Sequence, residues 1–183
     1  TDALYKEFST WVAARYFSFR SFASPSEGGV VIFIPRLGAA AETAFAFLEL
    51  VPGRVARLEF LGSPAAASSP EGASSFVVWN IHNHDLPVPV VRQFASRIAS
   101  DFADARLSPL HRFALAFGDL NADQPDTPRF FPADPLISSF APPPCSSSRI
   151  ILEALQGGIE VVPDFHSHFS ARHGFANLID RCF

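Results

Sequence analysis

Phe113-Ala-Leu-Ala-Phe-Gly-Asp-Leu-Asn121 is the most informative stretch of this chain. Its five apolar residues form a short unbroken run, which predicts a strand buried on both faces. Gly118 follows and, having no Cβ atom, lets the chain turn or come close to a ligand. Asp119 and Asn121 then stand at the end of the predicted strand, a position where functional sites are often built.

The spacing of Asp119 and Asn121 allows two interpretations. Residues i and i+2 of an extended chain point the same way, so the carboxylate and the carboxamide would face one point. There they could help to hold a hard cation and a phosphate oxygen. The alternative is an Asx-type turn that caps a core strand, with both side chains bonded to nearby backbone.

Length and composition predict one domain, residues 1–183. Apolar residues make up 48% of the chain and charged residues 17%, which is ample material for a core. Methionine is absent even at position 1, so we expect a processed chain or a fragment. The net charge of −4 argues against a general nucleic-acid coat, which would be basic, but not against an enzyme with a local arginine patch.

Cysteine usage and hydropathy bound the class of protein further. Cys145 and Cys182 have no metal-ligand spacing, and we expect free thiols in a reducing compartment. No stretch reaches the roughly 18 consecutive apolar residues of a membrane helix. No signal segment is visible in these residues. We therefore expect no membrane partner and an intracellular location.

The chain pattern predicts mostly strands, with hairpins and flanking helices. Apolar residues at helical spacing predict helices over 3–17 and 88–104, and a short helix is predicted over 149–157. Strands are predicted over 30–34, 45–51, 54–61, 76–82 and 178–183, and loops over 24–29, 62–74 and 122–148. Pro52-Gly53 is a hairpin signal, and the alternation in 54–61 is typical of a half-buried antiparallel strand. This order favours an α+β sandwich with a mixed or antiparallel core.

Six short elements occur in a characteristic order: Gly28-Gly29-Val30, Pro52-Gly53-Arg54, Trp79-Asn80-Ile81-His82, Gly118-Asp119-Leu120-Asn121, Ser167-His168-Phe169 and Ile179-Asp180-Arg181. In this order and spacing the chain resembles the endonuclease/exonuclease/phosphatase superfamily. That family includes deoxyribonuclease I-like enzymes, abasic-site endonucleases and the endonucleases of non-LTR retrotransposons. The resemblance implies an α+β fold, a four-layer α/β/β/α sandwich with the site at one edge of its two sheets.

The resemblance also implies a role for each matching residue. Asp119 would orient or deprotonate the attacking water, and Asn121 would help to position the phosphate, with both near the metal. His82 would donate to a non-bridging phosphate oxygen as charge develops there. Asp180 would orient a catalytic histidine. Asn80 and His168 would lie near the substrate, although the residues themselves favour an Asn80 that pairs with backbone or supports His82.

The implied chemistry is phosphodiester or phosphomonoester hydrolysis assisted by Mg²⁺ or Mn²⁺. An anionic diester repels nucleophiles, so its hydrolysis needs a cation, donors to the phosphoryl oxygens and a base. The Ile-Asp-Arg element and the Asn80–Asp85 loop are most similar to retrotransposon endonucleases. That likeness implies nucleic acid as substrate, with DNA favoured, a reverse-transcriptase domain in the parent chain and a nuclear location.

Two family elements are missing from the sequence. The family has a metal-binding glutamate before its first long helix, and Thr1 begins where that element should just have ended. An Asp-His element should follow Arg181, but the sequence stops at Phe183. We therefore expect an internal fragment, incomplete at both termini, that binds cations poorly and is nearly inactive alone.

Three other interpretations stay open. The fold could carry a phosphatase or a lipid phosphodiesterase. It could be a degenerate module without catalysis, which the missing carboxylate and histidine favour. Finally, Gly-Asp-Leu-Asn could be a chance match in an α+β domain. That last hypothesis predicts that His82 and Asp119 lie far apart.

Overall fold

The computed structural model describes residues 2–23, 29–36, 44–61, 75–84, 86–108, 112–121, 128–129, 139–140, 145–161, 168–170, 175–177 and 180–183. The predicted loop at 62–74 and most of the loops at 24–29 and 122–148 lie outside these ranges. The side chains of His168 and Asp180 also lie outside the described part.

Three helices and eleven strands make up the described elements. The helices are α1 (Asp2–Arg15), α2 (Val88–Leu107) and α3 (Ser146–Ala154). The longer strands are β1 (Tyr16–Phe22), β2 (Gly29–Pro35), β3 (Phe45–Val51), β4 (Val55–Phe60), β5 (Ser75–Ile81) and β6 (Arg112–Asp119). The short strands are β7 (Pro128–Arg129), β8 (Ser139–Phe140), β9 (His168–Ser170), β10 (Phe175–Asn177) and β11 (Asp180–Cys182).

The main sheet has five strands in the order β11-β6-β5-β4-β3. β5 and β6 run parallel, and the other neighbours are antiparallel. A separate antiparallel ribbon pairs β1 with β2, and two short ribbons pair β7 with β8 and β9 with β10. The predicted α+β class and mixed core are therefore confirmed. Among the described helices, none is long and apolar enough to cross a membrane.

One face of the main sheet packs against α2 and α3. Its core includes Val77, Trp79 and Ile81 of β5, together with helix residues such as Phe94 and Ile151, all essentially inaccessible to solvent. The four apolar residues predicted to face the core from α2 are buried, namely Val91, Phe94, Ile98 and Phe102. The 3.6-residue spacing of that stripe explains why the helix was predicted correctly.

The opposite face of the main sheet packs against the β1–β2 ribbon. Phe17, Phe19 and Ile32 of the ribbon form a core with Leu58 and Val78 of the sheet. The alternation of buried and exposed residues along β1 explains this contact, because every second side chain points toward the sheet. The described core therefore has a helix layer, a five-stranded sheet and a ribbon layer.

Two predictions from the sequence are wrong in this part of the fold. The first helix was predicted to continue to residue 17, but it ends at Arg15 and Tyr16 begins a strand. The strand β6 was predicted to be buried on both faces, but Phe113 is 59% exposed and Leu115 is 40% exposed. The ribbon core involves β3, β4 and β5 and only the end of β6, at Phe117, so the start of β6 is uncovered on that face.

The half-buried character predicted for β4 is also wrong. Arg57 on β4 and Asp101 on α2 are both buried, only 4% exposed. Arg57 donates to Asp101 through Nε at 2.8 Å and Nη2 at 2.9 Å, and Trp79 Nε1 donates to the same carboxylate at 3.0 Å. The hydrogen bond to Asp101 raises the pKa of Arg57, although burial works in the opposite direction. A buried ion pair thus lies on the face of β4 that the alternation of charged and apolar residues predicted to be exposed to solvent.

Candidate functional site

The ends of β5 and β6 meet at one edge of the main sheet because the two strands are parallel neighbours. His82 follows the last residue of β5, and Asp119 is the last residue of β6. His82 Nε2 lies 4.0 Å from Asp119 Oδ2. The backbone N–H of Asn83 donates to the carbonyl of Asp119 at 2.7 Å and so ties the two strand ends together. The structure therefore brings two of the predicted site residues side by side.

Both side chains remain accessible to solvent. The side chain of His82 is 39% exposed and that of Asp119 is 27% exposed. A ligand can therefore reach the imidazole and the carboxylate from the same edge. The separation that the chance-match hypothesis predicts for His82 and Asp119 is not observed.

Gly118 is required by a close approach of the two strands. Its φ angle is +132°, and a Cβ atom here would lie 2.2 Å from the carbonyl oxygen of Ile81. No side chain fits against a backbone oxygen at that distance. Ile81 is the last residue of the neighbouring strand β5, so Gly118 lets the ends of β5 and β6 come close together. This close approach places Asp119 beside His82.

Asp119 and Asn121 form an Asx-type turn. Asp119 Oδ1 accepts a hydrogen bond from the backbone N–H of Asn121 at 2.7 Å. Asn121 has left the strand and has a φ angle of +50°, a left-handed conformation that asparagine tolerates well. The expectation that an extended chain would point both side chains the same way is therefore wrong. Of the two alternatives for this spacing, the structure has the turn.

Arg54 is a third polar side chain at this edge. It ends the turn between β3 and β4, where its N–H donates to the carbonyl of Val51 at 2.9 Å. The carbonyl of Arg54 accepts from the backbone N–H of His82 at 2.7 Å. Arg54 Nη1 lies 3.3 Å from Nδ1 and 3.5 Å from Nε2 of His82, so the guanidinium rests against the imidazole ring. In the sequence Arg54 stood out only as part of a hairpin motif, and this contact was not predicted.

Asn80 connects the main sheet to the β1–β2 ribbon. Its Nδ2 donates to the carbonyl of Val31 in β2 at 3.1 Å, across the ribbon core. This is the backbone pairing that the sequence left open as an alternative to a substrate contact. A direct role toward substrate stays a prediction.

Asp180 and His168 can be located only through their backbones. Asp180 begins β11 and is paired in register with Asp119 of β6, so the two residues are direct neighbours across the sheet. His168 begins β9 and pairs with Asn177 of β10. The role predicted for Asp180, to orient a catalytic histidine, and the position predicted for His168, near the substrate, both stay predictions.

Behind the site, Asn83 and Ser148 hold the strand ends against α3. Asn83 is fully buried, and its Nδ2 donates to the carbonyl of Leu120 and to Ser148 Oγ, each at 3.0 Å. Ser148 Oγ lies 2.9 Å from the carbonyl of Leu120, to which it donates. Neither residue was predicted to have a role, because the partners are 28 to 65 residues apart.

The two cysteines are free, as predicted. Cys145 is exposed and precedes α3. Burial works to raise its pKa, but the hydroxyls of Ser147 and Ser148 and their N–H groups bring the pKa below its usual value. Cys182 is half-buried, and burial raises the pKa of its thiol.

Comparisons with known proteins identify no relative of this chain. It matches no protein-family model, and it has no significant match among curated proteins or solved structures.

The described donors fit Mg²⁺ or Mn²⁺ only in a minimal way. Proteins commonly hold Mg²⁺ with one or two carboxylates, and substrate phosphate and water complete the octahedron. Asp119 offers such a carboxylate, with Oδ1 engaged by the Asx turn and Oδ2 directed toward His82. Within the described ranges, no three histidine, cysteine or acidic side chains come together as a metal site.

Proposed function

We propose that this chain carries a phosphodiester-hydrolysing site at the adjoining ends of β5 and β6. The observation that carries the proposal is the 4.0 Å approach of His82 Nε2 to Asp119 Oδ2 at a solvent-accessible edge. Nucleophilic attack on a phosphodiester needs a hydrogen-bond donor and a base, and these two groups lie side by side here.

The roles follow from the chemistry of each group. Asp119 Oδ2 orients the attacking water or takes its proton. The imidazole of His82, when it carries a proton on the nitrogen facing substrate, donates to a non-bridging phosphate oxygen. Asn121 is exposed beside the turn, where its carboxamide can position the phosphate. A bound Mg²⁺ or Mn²⁺ would supply charge neutralisation at the phosphoryl oxygens.

Asp180 is proposed as a positioning residue. Its register pairing with Asp119 puts its backbone at the same sheet edge. In the superfamily that the chain resembles, the corresponding aspartate orients a catalytic histidine. Asn80 and His168 are proposed to lie near the substrate, Asn80 through its fixed position in the inter-sheet contact.

The proposed architecture is the four-layer α/β/β/α sandwich of the endonuclease/exonuclease/phosphatase superfamily. Helices α2 and α3, the main sheet and the ribbon agree with three of its layers. α1 is proposed as the fourth layer. Its Val12 is buried, and Arg36 Nε after β2 donates to the carbonyl of Ala13 in α1 at 3.0 Å.

The proposed substrate is nucleic acid, with DNA favoured, and the proposed setting is an intracellular, nuclear retroelement protein that also has a reverse-transcriptase domain. This part rests on the order of short motifs that ends in Ile179-Asp180-Arg181. The rival function is a non-catalytic module on the same fold.

A single-turnover nicking assay tests the proposal. Supercoiled plasmid is incubated with excess protein in Mg²⁺, with Asp119→Asn and EDTA as controls. We expect slow nicking that both controls abolish. Nicking that Asp119→Asn retains would contradict the assignment, and no nicking by the wild type would favour the non-catalytic module. Hydrolysis of an inositol phosphate or sphingomyelin without nicking would favour the phosphatase or lipid phosphodiesterase.

A further inference from the structure

We propose that the outer face of the β1–β2 ribbon binds single-stranded nucleic acid by stacking its bases on aromatic side chains. The inference goes beyond the proposed hydrolytic site, because this face points away from the main sheet. Burial alternates along β1, and Tyr16, Arg20 and Phe22 stand on the outer side. Phe33 of β2 shares that side, because it pairs in register with the outward-facing Ser18.

Aromatic side chains form an exposed row along this face. Trp11 in the last turns of α1 is 47% exposed, and Phe33 is 44% exposed. The ring of Tyr16 lies between them, with its centroid 5.9 Å from that of Trp11 and 6.1 Å from that of Phe33. Exposed rings of this kind are platforms on which any base can stack, whatever the sequence.

Phe22 extends the face to the far end of the ribbon. A Cβ atom at Gly29 would collide with the Phe22 ring, so this ring lies over the neighbouring strand. The ring is nevertheless 52% exposed. Tyr16 and Phe22 are the two ends of β1, about 20 Å apart, which is long enough for several nucleotides. Rings that are already held in place lose little freedom on binding.

Arginines beside the rings supply positive charge. Arg15 Cζ lies 4.9 Å from the centroid of the Trp11 ring, and Arg20 is a diagonal neighbour of Phe33 in the register of the ribbon. Both arginines are exposed, and neither forms an ion pair within the described part of the chain. Arg36 differs, since its Nε donates to backbone carbonyls of α1 and β1.

The charge of this face favours an anionic partner. β1 and β2 contain no acidic residue, although the whole chain has a net charge of −4. A second copy of the chain would place arginines against arginines, which repel. An acidic protein segment would neutralise the arginines but would bring no planar groups to the row of rings. A single strand of nucleic acid brings both phosphates and free base faces, whereas a duplex keeps its bases stacked inside.

Quenching of tryptophan fluorescence by oligothymidine of about 12 nucleotides, in EDTA, tests this surface. The chain has two tryptophans, and Trp79 is fully buried, so a change in emission reports on Trp11. Binding of the oligonucleotide at the β5–β6 edge would leave this signal unchanged. The assay therefore separates the proposed surface from the proposed hydrolytic site.

The variants are Phe33→Ala and Arg20→Ala, with Phe113→Ala and Arg97→Ala as matched exposed controls on β6 and α2. We expect Phe33→Ala to weaken binding at least about fivefold, the loss of one stacked base. Arg20→Ala should lower the slope of log K against log salt by about 0.7, the loss of one phosphate contact on a single strand. Both controls should match the wild type. Thermal melting by circular dichroism checks folding, and Arg20→Ala keeps the test decisive if Phe33→Ala unfolds.

No quenching of the wild type, or an equal loss of affinity in the controls, would overturn the proposal. Equal quenching by polyglutamate would also overturn it and would indicate a site for acidic protein segments. A dimer in sedimentation that Phe33→Ala dissociates would instead assign the face to a second copy. If the strand binds but plasmid is not nicked, the hydrolytic function fails and this surface stands. If nicking occurs without quenching, only this surface fails.

Discussion

Replacing Gly118 with alanine should damage both the stability of the fold and the site. Gly118 has a φ angle of +132°, and an added Cβ would lie 2.2 Å from the carbonyl oxygen, 3.0 Å from the carbonyl carbon and 3.1 Å from the nitrogen of Ile81. These are backbone atoms of a fully buried strand residue, so they cannot rotate aside as a flexible side chain would.

The magnitude has two parts. A side chain forced into an unfavourable backbone region costs about 1–3 kcal/mol. Relieving the contact by pushing β6 away from β5 costs about another 1–3 kcal/mol, as for overpacked cores. We therefore expect Gly118→Ala to lower the free energy of unfolding by about 2–6 kcal/mol. Moving the strand would also separate Asp119 from His82, so plasmid nicking should slow.

Urea unfolding followed by circular dichroism measures this loss, with Gly158→Ala as the matched control. A Cβ at Gly158 would meet Phe102 Cε1 at 3.0 Å and the carbonyl oxygen of Leu155 at 3.2 Å, contacts that a shift of a few tenths of an ångström relieves. We expect the control to change stability by less than about 1 kcal/mol. Our reasoning about the strand contact would be refuted if Gly118→Ala cost no more than Gly158→Ala.

Three further predictions concern other parts of the chain. Asp101→Asn should cost about 3 kcal/mol in urea unfolding, because it removes one of the two carboxylates that hold the buried Arg57 guanidinium and leaves only Glu59. Asp104→Asn, exposed on the same helix, should cost under about 0.5 kcal/mol. Equal effects of the two substitutions would contradict the buried ion pair. Cys145 should react with iodoacetamide faster and from a lower pH than Cys182. Only the thiolate reacts, and the pKa of Cys145 is lowered whereas that of Cys182 is raised. Peptide mass spectrometry that showed the reverse order of labelling would contradict this prediction. Asn121→Ala should lower the free energy of unfolding by about 1–2 kcal/mol, because residue 121 has a φ of +50°, and Asn121→Gly should lower it much less. Equal midpoints of the two variants in thermal melting would refute the left-handed turn.

Local patterns predicted much of the framework. The β3–β4 hairpin around Pro52-Gly53, the strand β5 and the helix α2 were all found, since each has a clear period or turn signal. The strand β1 was missed because no glycine or proline separates it from α1. The phenylalanines of Tyr16–Phe22 also continued the apolar spacing of the helix.

Long-range pairing explains the remaining errors. Arg57 looked like an exposed residue of an alternating strand, since its partner Asp101 lies 44 positions away. Phe113 and Leu115 looked buried, because the sequence does not show how far the ribbon covers the sheet. At the site, Asp119 and His82 were predicted from strand ends, but Arg54 reaches His82 from a turn 28 residues earlier in the chain.

The central claim is that the ends of β5 and β6 form one site for a phosphodiester and its metal ion. The most direct measurement is paramagnetic broadening of NMR signals by substoichiometric Mn²⁺ in the presence of a short DNA duplex. We predict selective broadening of the His82 ring and of the Asp119 and Asn121 amides, with Arg97 unaffected and the effect lost in Asp119→Asn. Broadening that spares these signals, or that persists in Asp119→Asn, would contradict the account.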